Sequence, residues 1–220
     1  MLVLVIKLNK QATTTWRIIP HGMPMVVKYC SKCNKKMNFY CSEKFRLNAN
    51  QQRVDIWLIY KCTKCDTTWK LSLMRGMKPA DIPAELFDRL TNNDAELAQK
   101  YAFDRQLLKQ SGCEIDYNGV GYSVEGLSEG DIITPLNIRL ESQYFFDLKL
   151  SAFLAGVLKT SVSNIKKLAA ENLIATSLDC DIMKYRIRTD FDLIIKSLDR
   201  KIRLSDSRNY DTPSQAGCDC

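Results

Sequence analysis

The chain has 220 residues, 45% of them hydrophobic and 26% charged, with 32 Lys/Arg against 25 Asp/Glu and a net charge of +7. That balance is ordinary for a globular protein and excludes a low-hydropathy disordered chain. Nine cysteines are an odd count; no export signal precedes them and four fall in tight pairs, so they do not read as a disulfide scaffold.

Residues 1–8 are apolar apart from Lys7. The run is too short to cross a membrane and lacks the basic start and small-residue cleavage site of a secretory signal. It reads as a short strand, and with the cysteine usage it points to a reducing cytoplasm. Residues 15–19 and 25–29 read as extended segments separated by the turn Pro20-His21-Gly22.

Two Cys-x-x-Cys clips follow, Cys30/Cys33 and Cys62/Cys65, with 28 residues between Cys33 and Cys62. Each clip can set two thiolates on one side of a metal ion, and two clips close a tetrahedron. Asn34 follows the first clip and Asp66 the second, types that tolerate the left-handed backbone of a tight knuckle. Lys32, Lys35, Lys36, Lys61 and Lys64 stand around the thiols and offset the −2 charge of a Zn(Cys)₄ centre. One structural Zn²⁺ per chain is expected, with a redox dithiol, or free or disulfide-bonded cysteines, as the alternatives. Cys41, Cys113 and Cys180 sit among apolar residues and read as small buried hydrophobes.

Residues 54–61 form a β-branched and aromatic run, a mostly buried strand leading into the second clip. Residues 68–73 alternate, with Trp69, Leu71 and Leu73 on one face. Clip, strand, clip, strand is the layout of a zinc ribbon, a small sheet that draws much of its folding energy from the metal.

The middle reads as helical. Residues 82–90 suit a short helix. Asn93 with Glu96 resembles a capping box, opening a helix that runs to about Ser111 and stops at Gly112. Asp104 interrupts its apolar stripe of Leu97, Tyr101 and Leu108, as a cap, a cation partner or a site residue. Residues 113–140 fit short strands and turns around Gly119, Gly121, Gly126 and Gly130.

Further on, Leu150, Phe153, Leu154, Val157 and Leu158 follow helical spacing. Thr160 or Ser161 caps a second helix carrying Ile165, Leu168 and Ala169, with Asn172 as its stop and Lys166 and Lys167 off the stripe. Residues 183–187 and 191–195 then read as a β-hairpin, with Lys184, Arg186 and Arg188 turned outward. The tail 205–220, rich in Ser, Asp, Gly and Pro and holding Cys218 and Cys220, reads as disordered.

Charge divides along the chain: +11 over residues 1–75, −6 over 76–135, +4 over 136–204 and −2 in the tail. Two basic blocks flanking an acidic one suit a polyanion partner, or merely a solvated surface. The expected class is α+β: a zinc-ribbon domain at 1–76, an acidic helical connector with short strands at 77–135, an α+β module at 136–204 and the tail.

Two resemblances bear on this reading. Lys149-Leu150-Ser151, then Ser161, Ile165, Lys166, Leu168, Asn172 and Ile174, make residues 148–195 similar to the S-four-type RNA-binding domain. Val162 stands where such domains often carry arginine, and Asn172 where they carry glycine. The stretch 45–50 through 55–62, both clips, Trp69, Asn93-Asp94 and Tyr101-Ala102-Phe103-Asp104 resemble an uncharacterised bacterial family, the domain of unknown function ten-sixty-two. The first resemblance implies an RNA reader; the second implies a bacterial source and brings no activity.

Three functions stay open. An RNA-binding or ribosome-associated protein would place phosphate contacts on Lys149, Lys159, Lys166, Lys167, Lys184, Arg186 and Arg188, with Arg46 and Arg53 extending the surface. Trp57 and Trp69 would then stack on bases, or serve as core. A zinc-stabilised protein–protein adaptor would dock through the acidic middle helices. An enzyme has little support: His21 is the single histidine, no phosphate-binding glycine loop or dinucleotide fingerprint is present, and no small-molecule substrate is evident. Four thiolates would leave a metal no open position, so only Asp104, Glu114 and Asp116 meeting in space could supply paired carboxylates. No membrane partner is expected.

Overall fold

The computed structural model describes residues 13–50, 52–127 and 135–197. The expected strand at 1–8, Gly130 and the tail with Cys218 and Cys220 lie outside the described residues.

The fold is α+β, and the described residues form two five-stranded sheets in two compact units. The strands are β1 (Thr13–His21), β2 (Met25–Cys30), β3 (Lys35–Asn50), β4 (Arg53–Cys62), β5 (Thr68–Met77), β6 (Glu114–Asp116), β7 (Gly121–Glu125), β8 (Leu136–Ser142), β9 (Ile174–Thr176) and β10 (Phe191–Ile195). The helices are α1 (Ala84–Thr91), α2 (Ala95–Ala102), α3 (Arg105–Gln110), α4 (Leu150–Val157) and α5 (Val162–Ala170). The units are not consecutive. Among the described residues one comprises 13–19 and 122–197, and the other, 20–121, is inserted within it. The chain changes unit at Pro20-His21-Gly22, where Gly22 takes a φ of +80°, so β1 and β2 enter different sheets instead of forming a hairpin. The acidic helices α1–α3 accordingly fall in the same unit as the cysteine clips, a different grouping from three successive modules.

In the inserted unit the sheet order is β5-β4-β3-β2-β6, with every neighbouring pair antiparallel. Strand β4 alternates without a break: Val54, Ile56, Leu58, Tyr60 and Cys62 are buried, and the residues between them are half-exposed. The buried side packs with Phe39, Phe45, Leu71, Leu90, Leu97 and Leu108 in one core that takes in α1, α2 and α3. Fully burying a side chain of this size contributes about 1.5–3 kcal/mol. The longest strand, β3, carries a register shift between Cys41 and Phe45, with Glu43 at a φ of +58° inside the bulge.

The expected helix to Ser111 is two helices. The Asp104 carboxylate accepts the Leu107 N–H and starts α3, which breaks the run after Ala102. Asp94, not Asn93, caps α2 by accepting from Leu97. Asn93 instead adopts a φ of +55° and accepts the Phe45 N–H, tying the α1–α2 turn to β3. Gly112, at a φ of +69°, follows α3 as expected.

The other unit has the sheet order β7-β1-β8-β10-β9, with β1 and β8 parallel and β10 antiparallel to both of its neighbours. Its apolar face carries Trp16, Ile18, Ile138, Leu140, Phe191 and Leu193, all buried, and α4 buries its full expected stripe. Phe153 on α4 lies edge-on to Trp16, with ring centroids 6.4 Å apart, and 6.1 Å from Tyr122. Gly126 is required: its φ is +83°, and a Cβ there would collide with the Thr15 carbonyl oxygen. Ser161 caps α5 by accepting the Asn164 N–H, and Asn172 stops it at a φ of +54°.

The expected hairpin over 183–187 and 191–195 is not formed. Asp181 captures the first segment as a turn: its carbonyl accepts from Lys184 and Tyr185, and its carboxylate from Met183. A single bridge, Lys149 to Arg186, is the β-like pairing that remains there, and β10 pairs with β8 and β9 instead.

Candidate metal centre

Each clip sits where a strand ends. Cys30 closes β2 and Cys62 closes β4, and both are buried. Cys33 and Cys65 lie in the turns that follow and are half-buried. After each clip the backbone turns left-handed, Asn34 at a φ of +55° and Asp66 at +59°. The two knuckles are held alike. The residue before the first cysteine reaches the Asx residue after the second: the Tyr29 hydroxyl bonds Asn34 Oδ1, and the Lys61 ammonium lies 2.9 Å from Asp66 Oδ2. Tyr40 also donates to Asp66 Oδ1, at 3.0 Å. The second knuckle is closed by Cys62 N–H to Thr67 O at 2.9 Å and Asp66 N–H to Cys62 O at 3.0 Å.

Because β2, β3 and β4 are neighbours, the two strand ends bring all four thiols together within 4.8 Å of one another. The close pairs run between clips, Cys30 Sγ to Cys65 Sγ at 3.5 Å and Cys33 Sγ to Cys62 Sγ at 3.9 Å. Four sulfurs each about 2.3 Å from a common centre stand ~3.8 Å apart in a tetrahedron, so these spacings fit one metal ion and are far beyond a disulfide bond. All four cysteines are free thiols. The set is soft, charged when ionised, and complete, so it could hold a metal ion with no position left over.

The thiols differ electrostatically. The Thr67 hydroxyl, 3.1 Å from Cys65 Sγ, and the Thr67 backbone bring the Cys65 thiol down to about 6. Its hydrogen bond with Cys65, then burial, push the Cys33 thiol up to about 12. Metal binding therefore has to displace protons from the set, most of all from Cys33. Elsewhere, burial raises Cys41 to about 11 and also raises Cys113, as expected of inert interior thiols.

Of the five nearby lysines, Lys36 pairs with Glu114 at 2.6 Å and Lys61 with Asp66, while Lys32, Lys35 and Lys64 are exposed at the knuckles. Asp104, Glu114 and Asp116 do separate work: a helix cap, the Lys36 pair, and acceptance from Asn38 and the Asn118 N–H.

The basic residues of the other unit are dispersed in role. Lys159, Lys166 and Lys167 are exposed. Lys149 precedes α4 and bridges to Arg186, whose guanidinium binds the Asp147 carboxylate and carbonyl. Lys184 lies 3.7 Å from Asp181, and Arg188 stands 5.8 Å over the Phe145 ring. Trp69 and Trp57 fall on opposite faces of the cysteine sheet. Trp69 lies with Tyr60 on the core side, ring centroids 5.3 Å apart, with Lys28 4.6 Å over it; Trp57 lies on the open side, with Lys70 5.1 Å over it.

The residues that sequence reasoning missed are those of β3. Met37, Phe39, Cys41, Phe45 and Leu47 alternate with polar residues, a period-two signal partly hidden by the high charge of the segment. No described helix is long and apolar enough to cross a membrane.

A family model described as "Protein of unknown function (DUF1062)" matches residues 47–179, which include Cys62 and Cys65 and begin after Cys30 and Cys33. Neither the curated proteins nor the solved structures yield a match.

Proposed function

This chain belongs to the DUF1062 family, whose description carries no activity, and from its geometry we propose a zinc-stapled RNA-binding protein of the reducing cytoplasm. The observation that carries the metal half is the convergence of four thiols within 4.8 Å at two strand ends. A closed four-sulfur tetrahedron suits Zn²⁺, which would tie β2 to β4 through Cys30, Cys33, Cys62 and Cys65 and supply structure, not chemistry. The zinc-ribbon likeness lies in the paired knuckles; here they follow the ends of two interior strands of a larger, helix-backed sheet.

The RNA half is supported by the net charge of +7 and by its separation into basic and acidic blocks. In the second unit the Ser161-capped helix pair α4–α5 presents Lys166 and Lys167 to solvent, as the S-four-type resemblance implies. Two measurements test the proposal. Freshly purified protein is expected to hold one zinc per chain by elemental analysis; well under one metal, or iron in its place, overturns the zinc assignment. RNA binding is expected to weaken ~10³-fold between 50 and 200 mM salt if about six phosphates are contacted. Binding that ignores salt, or none at micromolar protein, overturns the RNA assignment and favours a protein partner.

A further inference from the structure

One face of the cysteine sheet is buried under α1–α3; the opposite face is built differently from an ordinary wet surface. Three aromatic side chains stand on it. Trp57 and Lys61 alternate along β4 with the buried Leu58, Tyr60 and Cys62. Register places Tyr40 opposite Lys61, and Arg46 opposite Trp57. Lys70 pairs with Ile59, the residue between Trp57 and Lys61 on that face. On β2, Val26 and Cys30 face the core, so Tyr29, out of phase with both, points to the open side. Tyr29 and Tyr40 are 61% and 39% exposed, among the largest apolar exposures of the described residues.

The charge on the two layers is opposite. Residues 25–78, which form the sheet and its knuckles, hold 12 Lys/Arg and 3 Asp/Glu, whereas residues 79–112, which form the helices, hold 4 and 6. Lys28 is turned to the core side, donating to the Ser111 carbonyl at 2.9 Å. Arg46, Lys61 and Lys70 are on the open side with the rings. The tyrosines are also fixed in orientation, since their hydroxyls are held by Asn34 and Asp66, the two residues that complete the metal knuckles.

We propose that this open face, centred on Trp57, Tyr40 and Tyr29 and flanked by Arg46 and Lys70, binds single-stranded RNA by stacking unpaired bases on the rings and holding phosphates with the cations. The proposal rests on the RNA-binding reading above and assigns its main interface to the inserted unit. Rings interleaved with cations on an extended face match an unpaired strand, whose bases offer π-faces; a duplex hides those faces in its own stack. Trp57 and the Tyr40–Lys61 position are four residues apart on β4, about 13 Å, which suits bases splayed onto separate rings. Without RNA, the Lys70 ammonium covers the Trp57 ring; in the complex a base takes the ring and Lys70 turns to the adjoining phosphate.

The test uses the full chain with its metal bound, a 12-nucleotide oligouridine and a 12-base-pair RNA duplex at 50 mM salt, with binding read by fluorescence anisotropy. The single strand is expected to bind at least ~10-fold more tightly than the duplex, and Trp57→Ala to weaken it at least ~10-fold. Because Trp57 is half-buried, Trp57→Phe and the double variant Arg46→Ala/Lys70→Ala serve as checks that keep the fold. The double variant is expected to weaken binding ~10-fold and lower the salt slope by about 1.4, the single-strand value for two lost phosphate contacts. Oligouridine is expected to quench tryptophan emission in the wild type and much less in Trp57→Phe. If Lys166→Glu/Lys167→Glu abolishes binding while the sheet variants bind normally, this assignment fails and the RNA reading stands on α5. If the wild type binds neither RNA, both fail. Equal affinity for duplex and single strand overturns the assignment alone.

Discussion

The two five-stranded sheets solve the same problem, one face to bury and one to expose, with different exposed faces. On the open face of the mixed sheet, Arg17 of β1 binds Glu141 of β8 at 3.0 Å and reaches Glu125 of β7 at 3.6 Å. Arg139 of β8 pairs with Asp192 of β10 at 3.2 Å. Every cation named there has a carboxylate on the next strand, so the surface neutralises itself. On the cysteine sheet, Arg46 and Lys70 have no acid partner among the described residues and stand beside aromatic rings. Net charge along the chain is therefore a poor guide to where a binding face lies; the cross-strand partner decides whether a cation is spent internally or offered outward. The units also differ in how they are closed. The mixed sheet is sealed by α4 and its aromatic contacts, whereas the cysteine sheet has a helical core on one side and four thiols gathered at its strand ends.

If that contrast is right, metal removal should act on one unit. Cys65→Ser, or a strong chelator on the wild type, is expected to abolish bound zinc and to melt the cysteine unit well below the other, giving a two-step thermal transition. A metal-free protein that melts as the loaded one does would remove the staple from the account. The converse variant, Phe153→Ala, empties a fully buried site between Trp16 and Tyr122 and is expected to cost about 3–5 kcal/mol in denaturant unfolding of the mixed-sheet unit, with zinc content unchanged. A smaller effect belongs to the cap of α5: Ser161→Ala should cost about 1 kcal/mol by the same measurement.

The smallest concerns acid sensitivity of the cysteine unit. The Arg89 guanidinium, then the Leu97 N–H, hold the Asp94 carboxyl below its usual range. A depressed folded value means that this stabilisation is fully present above the unfolded pKa of about 3.9 and is lost as pH falls through the lower folded value. Asp94→Asn should therefore flatten the acid limb of the stability profile below about pH 4 and leave the mixed-sheet unit untouched. An unchanged acid limb, read by denaturant midpoints at successive pH values, would show that the pair contributes nothing.

Much of the local structure was legible. The stripe from Leu150 to Leu158 is buried throughout, Ser161 caps α5, and Asn34, Asp66 and Asn172 take the left-handed backbone their types tolerate. Asp104 was recognisable as an interruption, and its carboxylate proves to be the cap that splits a helix in two. Residues 183–187 misled because alternating Lys184 and Arg186 imitate a half-exposed strand, while the Asp181 carbonyl and carboxylate offered the same N–H groups a nearer acceptor. The ends β1 and β8, which pair in parallel across the whole inserted unit, left no trace in local pattern, since parallel partners share no turn.

Spacing and residue type alone determined that two cysteine clips exist, that each ends in a left-handed Asx residue, and which helices present an apolar stripe, because these properties are set within four or five neighbours by backbone sterics and side-chain periodicity. Tertiary structure alone decided that the clips meet, that Trp57 and Trp69 part to opposite faces, and which cations keep a carboxylate within reach. Those outcomes depend on strand order and register, which couple residues tens of positions apart and are chosen by burial of the whole sheet face.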